Sequence, residues 1–354
     1  MSRIFGQLIQ QSRRVSKDEY ASNFGRIAED VIDMITSPQA VQATREAREI
    51  MESAGTLGNG IPRLQSMEYG LFSNSLELEQ GLVAAVDGRP VLPIQKFTAG
   101  QAISVGIGSL SHTRPLMESM HYWSSKVLLY NTDTTDQFII EQERGLFGIS
   151  QTAYMRYFEV LHGLEISEPY VFFDGPLVYE WLTATREGVN LYERLFSSQK
   201  SVMGIIKSLK ANVNFATFSR ALKSKEVYII ETLADHLENL SSVNRNQGET
   251  SERYVMPEFL NNIAPYILRG IFKPNHKTFG FEVHIDQFSD MMRIMASDCQ
   301  LNNIGHEIPY LLNRVDEEIK RNFNSTILKE RIASSLVVQS EELFFEESDE
   351  RNLR

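Results

Sequence analysis

A single cysteine, Cys299, carries all the thiol chemistry of the chain, which excludes an internal disulfide and a thiolate zinc cluster. Its apolar neighbourhood, MMRIMASDC, predicts a buried space-filler. No stretch approaches the roughly 18 consecutive apolar residues that a bilayer-spanning helix needs. The opening MSRIFGQLIQQSRR also lacks a long apolar core followed by a small-residue cleavage site. These absences predict a soluble, cytoplasmic protein with no membrane partner. A Walker phosphate loop is missing, which excludes ATP hydrolysis by that route. So is Gly-x-Ser-x-Gly, which weakens any reading built on a nucleophilic serine. The seven histidines form no pair at metal-ligand spacing, and His276, His284 and His306 each stand alone.

What is present suits an enzyme with a proper core. At 354 residues, 42% hydrophobic and 23% charged, the chain can bury one large domain or two modest ones. Its net charge of −11 argues against nonspecific duplex binding over the whole surface, because phosphate neutralisation needs clustered Lys and Arg. The cations are nevertheless unevenly spread. From Lys200 to Lys225 the chain carries Lys207, Lys210, Arg220 and Lys223 as well and no acid, and Gly88 to Met117 holds Arg89, Lys96 and Arg114, again with no acid. An acidic protein with local basic patches fits a groove for phosphates beside gathered carboxylates; solvated helix faces fit the charges equally well.

The pattern along the chain is α/β. Residues 18–54 read as helical, with Ser37 as N-cap and Pro38 at the first helical position. A glycine-rich break, GTLGNGIPR, follows. LVAAV (82–86), VLPI (91–94) and AISVGI (102–107) are short apolar runs at close spacing and predict adjacent strands. SQTAYMRYFEVLHGL (150–164) has helical spacing and feeds a buried run, YVFF (170–173). Helical patterns around 188–198 and 226–241 flank VMGII (202–206). A strand around Phe279–Ile285, a helix over Gln287–Ser297 and a helix entered at Pro309 complete the order, before an acidic tail with an apolar hook at Leu343, Phe344 and Phe345.

Two aspartates stand out. Asp87 ends LVAAVDG and Asp174 ends YVFFDG, so an apolar strand, an aspartate and a glycine occur in that order twice. An aspartate at the end of a buried strand is held rigidly, and the glycine lets backbone or substrate come close. Oxygen-only ligands suit Mg²⁺ or Mn²⁺, and a pair of such ions about 3.5–4 Å apart can activate water and stabilise the leaving oxygen of a phosphodiester. Asp-Gly between apolar runs is equally the common hairpin turn, and VAAVDGRPVLPI fits one.

In sequence order these segments resemble the NurA family of nucleases. GLVAAVDGRPV is similar to the family's opening strand ending in Val-Asp-Gly, and YVFFDGPL to its second signature, with Pro176 where serine is common. YMRYFEVLHGLE resembles the helix that supplies an acid, matching Glu159, with Glu165 the competitor. VMGIIKSLK resembles the strand carrying Lys-Ser, here Lys207 and Ser208. HEIPYLLNRVDEE resembles a proline-started helix with a histidine or acid seven residues beyond the proline, here Asp316. The resemblance runs from about residue 80 to 330.

It implies an RNase H-like mixed sheet flanked by helices, with residues 1–78 an N-terminal helical region, 79–335 the nuclease domain and 336–354 an acidic tail. Asp87, Glu159 and Asp174 would hold Mn²⁺ or Mg²⁺, and Asp316 would be a fourth or outer acid. Lys207 would contact phosphate, with Lys210, Arg89 and Tyr310 as further nucleic-acid contacts; Tyr310 reads more readily as packing. The implied activity is DNA end processing, by 5′-3′ exonuclease and single-strand endonuclease action, in a homodimer docked on a HerA-type hexameric ATPase. The missing Walker loop fits that division of labour, whether the task is repair or antiviral defence. Two rivals remain: a noncatalytic adaptor of such an ATPase, and an enzyme of the same fold acting on RNA or a hybrid.

Overall fold

The computed structural model describes residues 24–57, 60–67, 75–97, 100–126, 151–209, 213–238, 255–300 and 308–323, with a few isolated positions elsewhere. Lys210, His306, the apolar hook and the acidic tail lie outside the described residues. The chain divides into two compact units, Met1–Ser53 and Ala54–Arg354. The first contains helices α1 (Phe24–Ile35) and α2 (Pro38–Ser53). The Ser37 hydroxyl accepts a 3.3 Å hydrogen bond from the Ala40 amide, the N-cap that the Ser-Pro pair predicts.

The second unit is built on nine strands: β1 (Leu64–Ser66), β2 (Val83–Phe97), β3 (Gly100–Ser111), β4 (Met117–Lys126), β5 (Tyr170–Asp174), β6 (Ser201–Ile206), β7 (Glu226–Thr232), β8 (Ile267–Lys273) and β9 (Phe279–His284). Their order across the sheet is β1-β7-β8-β9-β6-β5-β2-β3-β4. Within it, β2, β3 and β4 form an antiparallel meander, and β5 and β6 continue parallel to β2 on its other side. That five-strand arrangement defines the RNase H-like fold, here extended by the antiparallel strands β9, β8, β7 and β1. The pairing of β1 with β7 brings residues 64–66 into the sheet, well before residue 79.

Each face of the sheet is covered. Helices α5 (Phe288–Cys299) and α6 (Tyr310–Asn322) bury Met291, Met295, Leu311 and Val315 against Ala85, Phe172 and Ile205 on one face. Helix α3 (151–165) and helix α4 (Arg186–Ser197) pack Val160, Leu191 and Tyr192 against Ala84, Val86, Val171 and Phe173 on the other. The strict change of partner from residue to residue along β2 and β5 is the period-two alternation of strands buried on both faces. Cys299 is buried in the first of these cores, as its neighbourhood predicts.

Two local expectations are corrected. Asp87-Gly88 is not a hairpin turn, because β2 runs unbroken through it from Val83 to Phe97, with Asp87 paired to Gly108 and Gly88 to Ile107. The run VLPI therefore belongs to the same strand as LVAAV. Residues 226–241 do not form one helix: EVYIIET is strand β7, and residues 233–238 are helical. The β-branched and aromatic residues of that run are stiff at χ1 and pack well on a pleated surface, and pairing with β1 and β8 on both sides settles the matter. Strands β1, β4 and β8 carry no signal that the sequence analysis picked out.

Candidate active site

The register of the parallel strands brings the two Asp-Gly ends together. Val86 of β2 pairs with Phe173 of β5, so Asp87 and Asp174 stand one step further on, side by side. Alternation places both on the face covered by α6. Asp87 is 8% exposed and its Oδ1 accepts the Gly88 amide at 2.8 Å. Asp174 Oδ2 accepts from Lys207 Nζ at 2.5 Å, just beyond the end of β6.

Glu159 arrives from α3 on the opposite face and is 1% exposed. It reaches the strand because Gly88 has no side chain: a Cβ there would lie 2.5 Å from Glu159 Oε1 and 2.9 Å from Met155 Cγ. Arg156, one helical turn before it, donates to Glu159 Oε2 at 2.6 Å and also to the Asp174 carbonyl. Gly175 accommodates that guanidinium. Its φ is +110°, and a Cβ would fall 2.1 Å from Arg156 Nη2. Arg156 lies inside the motif that pointed to Glu159 but was not singled out. The i, i+3 spacing on one helix is the signal that would have found it.

Three carboxylates thus face two cations in a largely dry setting. Burial, then the charges of Asp174 and Glu159, push Asp87 up to about 8. Burial also pushes Glu159 up to about 7, even though Arg156 pulls it down. Glu159 Oε1 is buried with no hydrogen-bond partner. An orphaned carboxylate oxygen beside a neighbour that resists ionisation describes a site short of positive charge. The donors are all hard oxygens, so their chemistry and charge fit Mg²⁺ or Mn²⁺. Among the described residues, no three His, Cys, Asp or Glu side chains converge as a ready-made metal cluster.

The other expected site residues are distributed as follows. Asp316 lies on α6 and is bonded to Lys320 at 2.6 Å. Its helix crosses β2 and β3, with Ile319 3.0 Å from a Cβ built on Gly108, the partner of Asp87. Arg89 is half-buried two residues beyond Asp87 on β2, and Ser208 is exposed after Lys207. Tyr310 packs: its ring stacks on His112 at 5.4 Å and its hydroxyl accepts from Arg314 at 3.1 Å. Glu165, the competitor of Glu159, is on the same helix and acts electrostatically on His121 and His162 rather than on Asp87.

The chain is thus an RNase H-like α/β protein with two aspartates side by side at the ends of its central parallel strands. Solved structures to which the chain is similar over most of its length include those of two kinds of nuclease. The NurA nuclease from Sulfolobus solfataricus is 11% identical, with 89% of this chain and 98% of that one covered and a TM-score of 0.45. A NurA structure with manganese is 10% identical, with 89% and 98% covered and a TM-score of 0.41. Human endonuclease V is 10% identical, with 81% and 99% covered and a TM-score of 0.30. No family model matches the sequence, and no curated protein matches it either.

Proposed function

We propose that this protein is a divalent-metal-dependent deoxyribonuclease that processes DNA ends, using Mn²⁺ or Mg²⁺ held by Asp87, Asp174 and Glu159. The observation that carries the reading is the juxtaposition of Asp87 and Asp174 on adjacent parallel strands with Glu159 brought to the same strand end. One orphaned oxygen and one carboxyl forced up to about 8 mark the missing charge. The metal, when bound, would polarise the phosphodiester and supply a nucleophile from water. Lys207 would turn from Asp174 to the phosphate, a move its flexible stem allows. Arg156 would keep Glu159 and the Asp174 backbone in place throughout.

In the same proposal the chain works as a homodimer with a HerA-type hexameric translocase, in repair or in defence against phage, acting as a 5′-3′ exonuclease and a single-strand endonuclease. The motif resemblance and the lack of a nucleotide-binding loop support that assignment. The adaptor reading keeps one specific point in its favour: Asp174 and Glu159 are already satisfied in part by Lys207 and Arg156.

The test is cleavage of end-labelled single- and double-stranded DNA with Mn²⁺, Mg²⁺ or EDTA, alone and with a HerA-type ATPase and ATP. Asp87→Asn and Asp174→Asn should each lower the rate roughly a thousandfold or more, in keeping with the loss of several kcal/mol of charge stabilisation. Silence of the wild type under every condition would leave the adaptor.

A further inference from the structure

A cleft of about 660 Å³ opens beside the carboxylates and includes Gly175 and Lys207. Its floor is a network in which Arg269 of β8 donates to Glu231 at 2.7 Å and to Glu282 of β9 at 2.8 Å. Arg269 is 6% exposed and engaged by both glutamates, so it is Lys207 that the cleft presents to a phosphate. Exposed cations gather to one side of the cleft. Phe215, in its wall, belongs to the short helix Val213–Ser219, and the turn after that helix carries Arg220, Lys223 and Lys225, all exposed.

A second turn, residues 274–278 between β8 and β9, is tied to the first. The Lys225 amide donates to the Lys273 carbonyl at 2.7 Å, the Ser224 hydroxyl to the Pro274 carbonyl at 3.4 Å, and the Thr278 hydroxyl to the Ser219 carbonyl at 3.2 Å. This turn and the strand end before it add Lys277, which is exposed, and Lys273, which is half-buried. Residues 219–225 and 273–278 thus bring five cations together and contain no acid; Glu226, at their edge, accepts the Lys223 amide at 2.8 Å. Lys225 also has a φ of +67°, a conformation that glycine adopts without steric cost, so its side chain is carried against the backbone's preference and what it contributes is charge.

Strand register sets both turns at the end of the sheet where the carboxylates lie. Asp174 pairs with Ile205, Ile206 with Gly280, Phe279 with Phe272 and Lys273 with Glu226. At about 4.8 Å per strand, β8 and β7 stand about 10 and 15 Å to the side of β6, the strand that ends just before Lys207. Neither turn carries Phe, Tyr or Trp, the side chains on which a single strand stacks its bases. A duplex needs no such platform, because it offers a stiff, dense row of phosphates to any matching row of cations.

We infer that the turns 219–225 and 273–278 form a ridge that grips the phosphate backbone of duplex DNA beside the carboxylate site. This rests on the reading of the chain as a DNA nuclease. At about 3.4 Å per base pair, 10–15 Å is about three or four base pairs, so the ridge holds the duplex that far from the phosphate at Lys207. The end is trimmed while the helix behind it is held.

The test measures binding of the full chain to a labelled blunt duplex two helical turns long, over a range of KCl in EDTA, so that no cleavage intervenes. The log–log slope for the duplex should be about −4. Lys273→Ser with Lys277→Ser should flatten it by about 2. Arg186→Ser with Arg194→Ser, an equal change of charge at exposed positions of α4, should leave it as it was. Lys225→Gly should flatten the slope by about 0.9 without lowering the melting temperature, a pairing that a structural role for this lysine would not give. Duplexes with one neutral methylphosphonate at successive positions should lose affinity several-fold at about three or four base pairs from the cut. A duplex slope insensitive to the Lys273 and Lys277 pair, equal flattening by the Arg186 and Arg194 pair, or as large an effect on single strands as on duplex overturns the ridge. Ridge-dependent duplex binding without any cleavage in Mn²⁺ or Mg²⁺ would instead overturn the nuclease reading and leave the ridge standing.

Discussion

At the scale of single residues, Asp87 holds the tension in the site. Burial and its acidic neighbours raise its carboxyl from the usual carboxylate range to about 8. A raised acid binds its proton more tightly in the folded state than in the unfolded one. Between about pH 4 and pH 8 the stability of the metal-free protein therefore falls as pH rises. Asp87→Asn removes that loss. In EDTA at pH 8 the variant should melt about 2–4 °C above the wild type for each kcal/mol recovered, with the difference vanishing near pH 4. Mn²⁺ should raise the melting temperature of the wild type and leave the variant where it was. An unchanged melting temperature in EDTA would mean that Asp87 is not strained by its neighbours. Gly175 is constrained from a different direction, by its φ of +110° and by Arg156. Gly175→Ala should cost about 1–3 kcal/mol in urea unfolding and should lower the cleavage rate, because Arg156 can no longer bridge Glu159 and Asp174.

At the scale of elements, strands β7, β8 and β9 act as a buttress for the loop that follows Asp174. Glu282 on β9 fixes Val178, Tyr192 on α4 receives the Tyr179 amide at 2.8 Å, and Ile205 on β6 accepts the Gly175 amide at 2.7 Å. Arg269 neutralises the two buried glutamates of that buttress. Arg269→Ala should destabilise the protein by about 3–5 kcal/mol, since it strands two buried carboxylates. Replacing Arg269, Glu231 and Glu282 together by Met, Leu and Leu should restore most of the loss by urea unfolding. Failure of the triple variant to recover would show that the network holds the strands together by geometry as well as charge.

For the whole molecule, the net charge of −11 sets the character of any DNA binding. Two cations of the basic stretches are already engaged: Lys200 is tied to the carbonyls of Ile166 and Glu168, and Arg114 to Ser167 and Glu168. Single-strand affinity should therefore fall gently with salt, with a log–log slope of about −2, and Lys207→Ala should flatten it by about 0.7. A slope steeper than about −5 would point to a basic face other than the cleft. Among the described residues, no helix is long and apolar enough to cross a membrane.

The sequence by itself determined the strand-aspartate-glycine segments, the helix that carries Glu159 and the N-cap at Ser37, because each is written in a local period or a local cap. It also carried the order of motifs that names the RNase H-like class. It could not say whether Asp87-Gly88 turns or runs on, since the same residues satisfy a hairpin and a strand. The pairing of Gly88 with Ile107 decided it. Nor could it assign residues 226–232, where an apolar run fits two periods until β1 and β8 claim its two edges. The salt-bridged floor of Arg269, Glu231 and Glu282 was invisible for a related reason. Its members sit on three strands, β7 separated from β8 by residues 233–266 and β8 joined to β9 by residues 274–278, and a charge in a sequence carries no mark of the partner that will bury it. Only the tertiary structure brings such groups together, because burial and pairing are properties of the assembled sheet and not of any segment within it.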